Sequence, residues 1–367
     1  MANPDNRRAV AAVDADNMIE HLENTPNFYR EALRTTKNSH FQFSASSVDR
    51  IIFLGMGASA LAGRLIQDWS YDRRSVSMDV AMDYVLPANV GKNTLVVAVS
   101  YSGDTEETLT AATQALKMKA KVVGISSGGV LERLCKSKKI THIKVPQSFP
   151  SRVALPFLLT MSGWLTEVTG CFRGFLRELE SSISTLQKMA RELSVDVPSA
   201  SNPAKKMALE IATTIPIIYG YREYSSVAAR WKAQLNENGK IMAMSNSLPE
   251  VDHNEIVGWD KSDPNVLDKL SAIFIRDQRP PPSIGKRIEI TKDSIKARTN
   301  KVYEVFSRGN SRLARMLSAV YLGDFVSFYV AVIRNVNPTP VEAILKIKNT
   351  LAKSLGTLDA IAKKIAD

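Results

Sequence analysis

The chain has 367 residues, 44% of them hydrophobic, with a formal net charge of +11. That length suits two domains with real cores, and the composition excludes a disordered chain. Its two cysteines, Cys135 and Cys171, form no spaced cluster and its four histidines are scattered, which argues against a protein-built metal site and for buried free thiols in a reduced compartment.

The N-terminal "MANPDNRRAVAAVDADN" has no continuous apolar stretch of the signal-peptide kind and reads as a polar segment with helical character. "RIIFLGMG" reads as a strand ending in a Gly turn, followed by the helix "SALAGRLIQDW". "SVSMDV" and "TLVVAVS" are strands, "TEETLTAATQALKMK" a helix, and "KVVGIS" and "THIKV" strands around a short helix. Near-continuous Val/Ile runs separated by helices predict a parallel sheet covered on both faces. "RVALPFLLTMSGWLTEVTG" and "LRELESSISTLQKMARELS" are long helices. The apolar run Val153 to Leu165 is broken by Thr160 and Ser162 and falls short of the roughly 20 residues of a membrane span, so no membrane partner is expected.

"VDVPSASNPAKK" marks a linker at 194–203, which divides an N-terminal domain with a helical extension (1–193) from a C-terminal one (204–367). Beyond it come the strand "IPIIYGY", the helix "SSVAARWKAQLNENG", the strands "LSAIFIRD" and "KVYEVFS", and the closing helices "LARMLSAVYLGDFVSFYVAVIRNV" and "PVEAILKIKNTLAKSL". The architecture reads as duplicated: two α/β domains of one type. The basic residues, as in "LKMKAK" and "CKSKKI", lack interleaved aromatics. This fits a solvated basic surface or an anionic small substrate, with no nucleic-acid partner.

Parallel sheets bind ligands beyond the carboxyl ends of their strands, and two such ends carry chemistry. One is "GMGAS", with Gly57, Ala58 and Ser59; the other is "SYSGDT", with Ser100, Ser102 and Thr105. Helix N-termini offer N–H groups and partial positive charge, small residues admit an anion, and hydroxyls donate to phosphate oxygens. Ordinary capping competes with this reading: Asp104 and Glu107 have capping-box spacing, and Thr105 is also a cap residue. Gly55–Ala60 also fits G-x-G-x-x-A, with Asp79 near the end of a later strand, a dinucleotide pattern that leaves the hydroxyl cluster without a task.

The segments "FLGMGASALAG", "VSYSGDTEETL" and "QLNENGKIMAMSNSLPEVDHNEI" resemble the archaeal-type bifunctional phosphoglucose/phosphomannose isomerases of the sugar-isomerase (SIS) fold group. The resemblance implies two SIS domains, a homodimer with the active site at its interface, no metal and no organic cofactor. It implies a cytoplasmic aldose–ketose isomerase that interconverts glucose 6-phosphate and mannose 6-phosphate with fructose 6-phosphate, in glycolysis and gluconeogenesis. By it, Gly57, Ala58, Ser59, Ser100, Ser102 and Thr105 match phosphate-binding positions, and Arg152 matches the arginine beside the reacting carbons. Glu237 matches the general base, His253 the ring-opening histidine and Lys348 the family's late lysine. Ala58 and Asp104 stand where the family usually has Gly and Asn, and Asp104 brings a negative charge near a phosphate unless it turns away to cap a helix.

On the residues alone, Lys348 is centred on a helical stripe of Val341, Ile344, Leu345, Leu351 and Ala352, where a cation is paired, snorkelled or used. Glu237 lies off the stripe Val227, Trp231, Leu235 and three residues before Lys240, the spacing of a surface ion pair. His253 lies in a polar loop. Arg152 precedes an apolar helix whose N-terminal dipole disfavours a cation, so a ligand or carboxylate partner is expected. A non-catalytic SIS sensor is the alternative from another class. It needs an output module, and the first ~45 residues show no helix-turn-helix pattern; a nicotinamide-dependent dehydrogenase is the third reading.

Overall fold

A computed structural model describes residues 2–38, 48–147 and 149–366. The chain forms two compact units, one of residues 1–26 and 181–340, the other of residues 27–180 and 341–367. The sequential division expected at 194–203 differs from this partition. Long-range contacts are the reason: Tyr329 Oη donates to Leu193 O at 2.6 Å. The buried Lys205 ammonium donates to Asp5 Oδ1 at 2.9 Å and Val195 O at 2.8 Å. Residues 181–193 and the N-terminal segment therefore belong with the second sheet.

In chain order the elements begin with α1 (Arg7–Val13) and α2 (Met18–Asn38). They continue with β1 (Arg50–Leu54), α3 (Gly57–Trp69), β2 (Ser77–Ala81), β3 (Thr94–Val99), α4 (Glu106–Lys117) and β4 (Lys121–Ser126). Then come α5 (Gly129–Ser137), β5 (His142–Lys144), α6 (Leu155–Val168) and α7 (Phe175–Leu193). The first sheet has the order β2-β1-β3-β4-β5, all parallel. Ile51–Leu54 and Leu95–Val99 are buried throughout, as unbroken apolar strands covered on both faces must be. Ile52, Leu54, Val96, Ala98 and Val122 pack with apolar residues of α4 and α5. Phe53 faces α3, where a Cβ on Gly63 would lie 2.6 Å from the Phe53 Cβ.

The second series is α8 (Pro203–Ile211), β6 (Ile215–Tyr221), α9 (Tyr224–Glu237), β7 (Met244–Leu248), a 3-10 turn Glu250–His253, α10 (Glu255–Lys261), α11 (Pro264–Leu267) and β8 (Leu270–Arg276). It closes with α12 (Pro282–Lys296), β9 (Val302–Phe306), α13 (Arg312–Ile333), α14 (Glu342–Leu355) and α15 (Thr357–Ala366). Its parallel sheet runs β7-β6-β8-β9, the same order as β2-β1-β3-β4, so the duplication expected from the sequence is present in the topology. α13 is long and apolar enough to cross a membrane, but 94% of its apolar window is buried, and it packs on α8 and α9. All-round hydrophobicity is what a core helix requires. The two cysteines are free and buried, as expected, and burial pushes the Cys135 thiol up to about 11.

Candidate active site

In the first sheet the chain leaves β1 toward β2 on one side and β3 on the other, so β1 and β3 flank the point where strand order reverses. Their carboxyl ends lead into the two loaded corners, which lie side by side: Tyr101 N donates to Ser59 Oγ at 3.3 Å. This is where a doubly wound sheet opens a ligand crevice. Two glycines make the first corner possible. A Cβ on Gly55 would lie 2.9 Å from Ala60 N, and Gly57 has φ +52°. Ala58, half-buried, is absent from the positive-φ positions, so the departure from Gly imposes no backbone strain.

Neither α3 nor α4 receives a side-chain cap; their cap residues are Met56 and Thr105. The capping reading of Thr105 and of the Asp104–Glu107 pair therefore fails. Ser100 Oγ donates to Thr105 Oγ1 at 2.8 Å and accepts from Gly103 N at 3.1 Å, while Ser102 Oγ accepts from Asp104 N at 3.2 Å. Ser59, Ser102 and Thr105 thus act as acceptors in these bonds, which leaves each hydroxyl its own proton to donate to an anion. Asp104 does turn away, but to a different helix: its Oδ1 accepts from Val130 N at 2.8 Å, in the first turn of α5. The carboxylate serves an N-terminus whose own cap residue, Gly128, has no side chain to offer.

A third corner, after β4, backs the second. Leu131 N donates to Gly103 O and Ser127 N to Tyr101 O, each at 2.9 Å. Gly103, at φ +77°, lies so close that a Cβ would fall 1.8 Å from Gly128 O. Only glycine fits there. Arg152 occupies a turn just before α6 and is 3% exposed. The corners, Arg152 and Lys348 belong to one compact unit; Glu237 and His253 belong to the other.

Glu237 ends α9 and is half-buried, beyond the stripe of Val227, Trp231 and Leu235, which is fully buried. The Lys240 ammonium donates to the backbone carbonyls of Glu237, Pro338 and Pro340. His253 is exposed at the end of the 3-10 turn. Nearby is a network that sequence reasoning missed. Glu255 accepts from Tyr219 Oη and, at 2.7 Å, from Asn246 Nδ2; Trp259 Nε1 donates to Tyr219 Oη at 2.7 Å. The segment "SNSLPEVDHNEI" holds both Asn246 and Glu255, and this pairing was the available signal.

Lys348 differs most from its expected setting. α14 buries none of its residues, and Ile344 and Leu345 are 41% and 54% exposed. The residues of the expected stripe, Val341, Ile344, Leu345, Leu351 and Ala352, are therefore exposed or half-buried. Asp79 lies mid-strand in β2, with Oδ2 3.4 Å from Arg50 Nε on the neighbouring strand β1. Among the described residues no group of three or more His, Cys, Asp or Glu side chains is placed to hold a metal.

Comparison with known proteins adds an independent line. The SIS domain family matches residues 45–162, and the bacterial phospho-glucose isomerase C-terminal SIS domain family matches residues 200–351. The bifunctional phosphoglucose/phosphomannose isomerase of Caldicellulosiruptor bescii is 36% identical over 92% of this chain and 99% of its own. The protein of that name from Thermoplasma acidophilum is 35% identical over 88% and 97%. Among solved structures, a hypothetical protein from Thermus thermophilus superposes with a TM-score of 0.71 at 16% identity, covering 95% of this chain and 93% of that one.

Proposed function

From the premise that this chain belongs to the bifunctional phosphoglucose/phosphomannose isomerase family, we infer that its two adjacent corners hold the phosphate of a hexose 6-phosphate while the sugar is isomerised. The chain is an isomerase that interconverts glucose 6-phosphate and mannose 6-phosphate with fructose 6-phosphate. The observation that carries the site is the Tyr101–Ser59 bond, which joins two N-termini free of side-chain caps and rich in hydroxyl donors.

The chemistry moves a proton between C1 and C2 of the open-chain sugar. Glu237 is the base that takes the proton from one carbon and returns it to its neighbour. Arg152 offsets the charge of the enediolate, a task often worth about 2.7–4 kcal/mol per donor in comparable sites. His253 assists ring opening at the ring oxygen or C1 hydroxyl, with Lys348 as a cationic partner. Ser59, Ser100, Ser102, Thr105 and the backbone at Gly57 and Ala58 fix the far end, so that binding energy is used for orientation. The family resemblance supports these roles. It also supports a cytoplasmic homodimer that works in glycolysis and gluconeogenesis without metal or organic cofactor. Light scattering tests the dimer, which should read twice the 40.5 kDa chain mass; a monomer at assay concentration would refute it.

The decisive assay incubates the protein with fructose 6-phosphate in EDTA and measures glucose and mannose 6-phosphates. The expected result is turnover by the unmodified chain and almost none by Glu237→Gln. Undiminished activity in that variant would remove Glu237 from the base role.

A further inference from the structure

Tyr101, between two serines of the phosphate corner, is 8% exposed, and its hydrogen bonds reach three different parts of the site. Its N–H donates to Ser59 Oγ at 3.3 Å, which fixes the first corner. Its carbonyl accepts from Ser127 N at 2.9 Å and Ser127 Oγ at 2.7 Å, which fixes the third. Its phenol oxygen accepts from Phe149 N at 3.0 Å, 48 residues along the chain.

That last bond anchors the segment that presents Arg152. Directly after Phe149 come two overlapping turns, in which Val153 N donates to Pro150 O at 2.8 Å and Ala154 N to Ser151 O at 3.3 Å. The far end of the segment is held by α6. The near end is held by Tyr101 and by the Phe149 ring, which stacks on Phe157 at 5.7 Å and lies 4.8 Å from Phe28. A turn with a fixed start and a fixed end has little freedom in where it places the side chain between them, and here that side chain, Arg152, is buried.

We infer that Tyr101 is a positioning residue: its phenol oxygen sets the Phe149–Arg152 turn relative to the phosphate corner, so that the guanidinium meets the reacting carbons of a sugar whose phosphate that same residue's backbone helps to hold. This rests on the assignment of Arg152 to the enediolate. It divides the labour of one residue, with backbone contacts serving the phosphate and the phenol oxygen serving the turn. Removal of that oxygen leaves the corners intact and lets the turn shift, and misplacement by about 1 Å can cost on the order of 100-fold in rate.

The experiment is a double-variant cycle of Tyr101→Phe and Arg152→Ala. It measures kcat and KM for fructose 6-phosphate, the inhibition constant of inorganic phosphate, and the thermal midpoint. Tyr101→Phe is expected to lower kcat about ten- to hundredfold with phosphate inhibition unchanged. Arg152→Ala should lower kcat at least as far, and the double variant no further, because coupled groups are not additive. If Arg152→Ala is costly but Tyr101→Phe keeps full kcat, or if the two losses multiply, the inference is overturned and the isomerase reading stands. If phosphate inhibition weakens in step with kcat, the phenol supports the whole corner and the inference is also overturned. Full kcat in Arg152→Ala would overturn the role of the arginine and the inference with it.

Discussion

The bond from Val130 N to Asp104 Oδ1 sets what a carboxylate beside an anion site costs. Aimed at α5, the charge compensates an orphan donor of that helix. Asp104→Ala should therefore lower stability by about 1 kcal/mol, the usual cost of a lost cap, and raise KM as the corner loosens. Asp104→Asn keeps the acceptor and removes the charge, so its KM should match or fall below that of the parent. Steady-state kinetics and urea melts of both variants check this, and a KM raised as far by Asn as by Ala would contradict it. The sequence shows the capping potential of Asp104 but not its target. Capping boxes are local patterns, whereas this acceptor reaches 26 residues ahead. The hydroxyl cluster of Ser59, Ser100, Ser102 and Thr105 is legible in the sequence because small hydroxyl residues gather at two strand ends. Tyr101 is not, because an aromatic between two serines reads as core filling until its oxygen is seen at Phe149 N.

Helices and strands are legible wherever their period is clean. Val/Ile runs mark β1, β3, β4, β6 and β8, since a strand buried on both faces is mostly apolar. β7, "MSNSL", leaves no such mark because it is a polar edge strand with only Leu248 buried. The start of α8 reads as linker: "SNP" resembles a breaker, yet Asn202 accepts from Ala204 N and Lys205 N at 3.0 and 3.1 Å, and Pro203 occupies the first helical position. Proline is tolerated there because its missing N–H had no helical partner to lose. α14 gives the opposite lesson. Periodicity predicts an apolar stripe there, but α14 buries none of its residues, and periodicity does not say what covers a face.

Across the molecule, the two sheets repeat one strand order, yet their corresponding corners carry different side chains. At the matching ends of β6 and β8, Tyr224 and Asp277 meet instead, with Ser307 Oγ donating to Asp277 Oδ1 at 2.7 Å and Arg315 Nε 2.9 Å from it. Tyr224 and Asp277 thus stand where the first sheet has small hydroxyl residues, so duplication of topology does not duplicate the chemistry of the corners. The partition of the termini between the units is invisible in composition. It depends on contacts such as Lys205 with Asp5, 200 residues apart. The most direct test is a crystal structure with glucitol 6-phosphate, which has the sugar's hydroxyls and phosphate but no carbonyl to react. Its phosphate should sit about 3 Å from the hydroxyls of Ser59, Ser102 and Thr105, with C1 and C2 against Arg152 and a Glu237 carboxylate. Saturating ligand bound elsewhere, with both corners empty, would contradict the account.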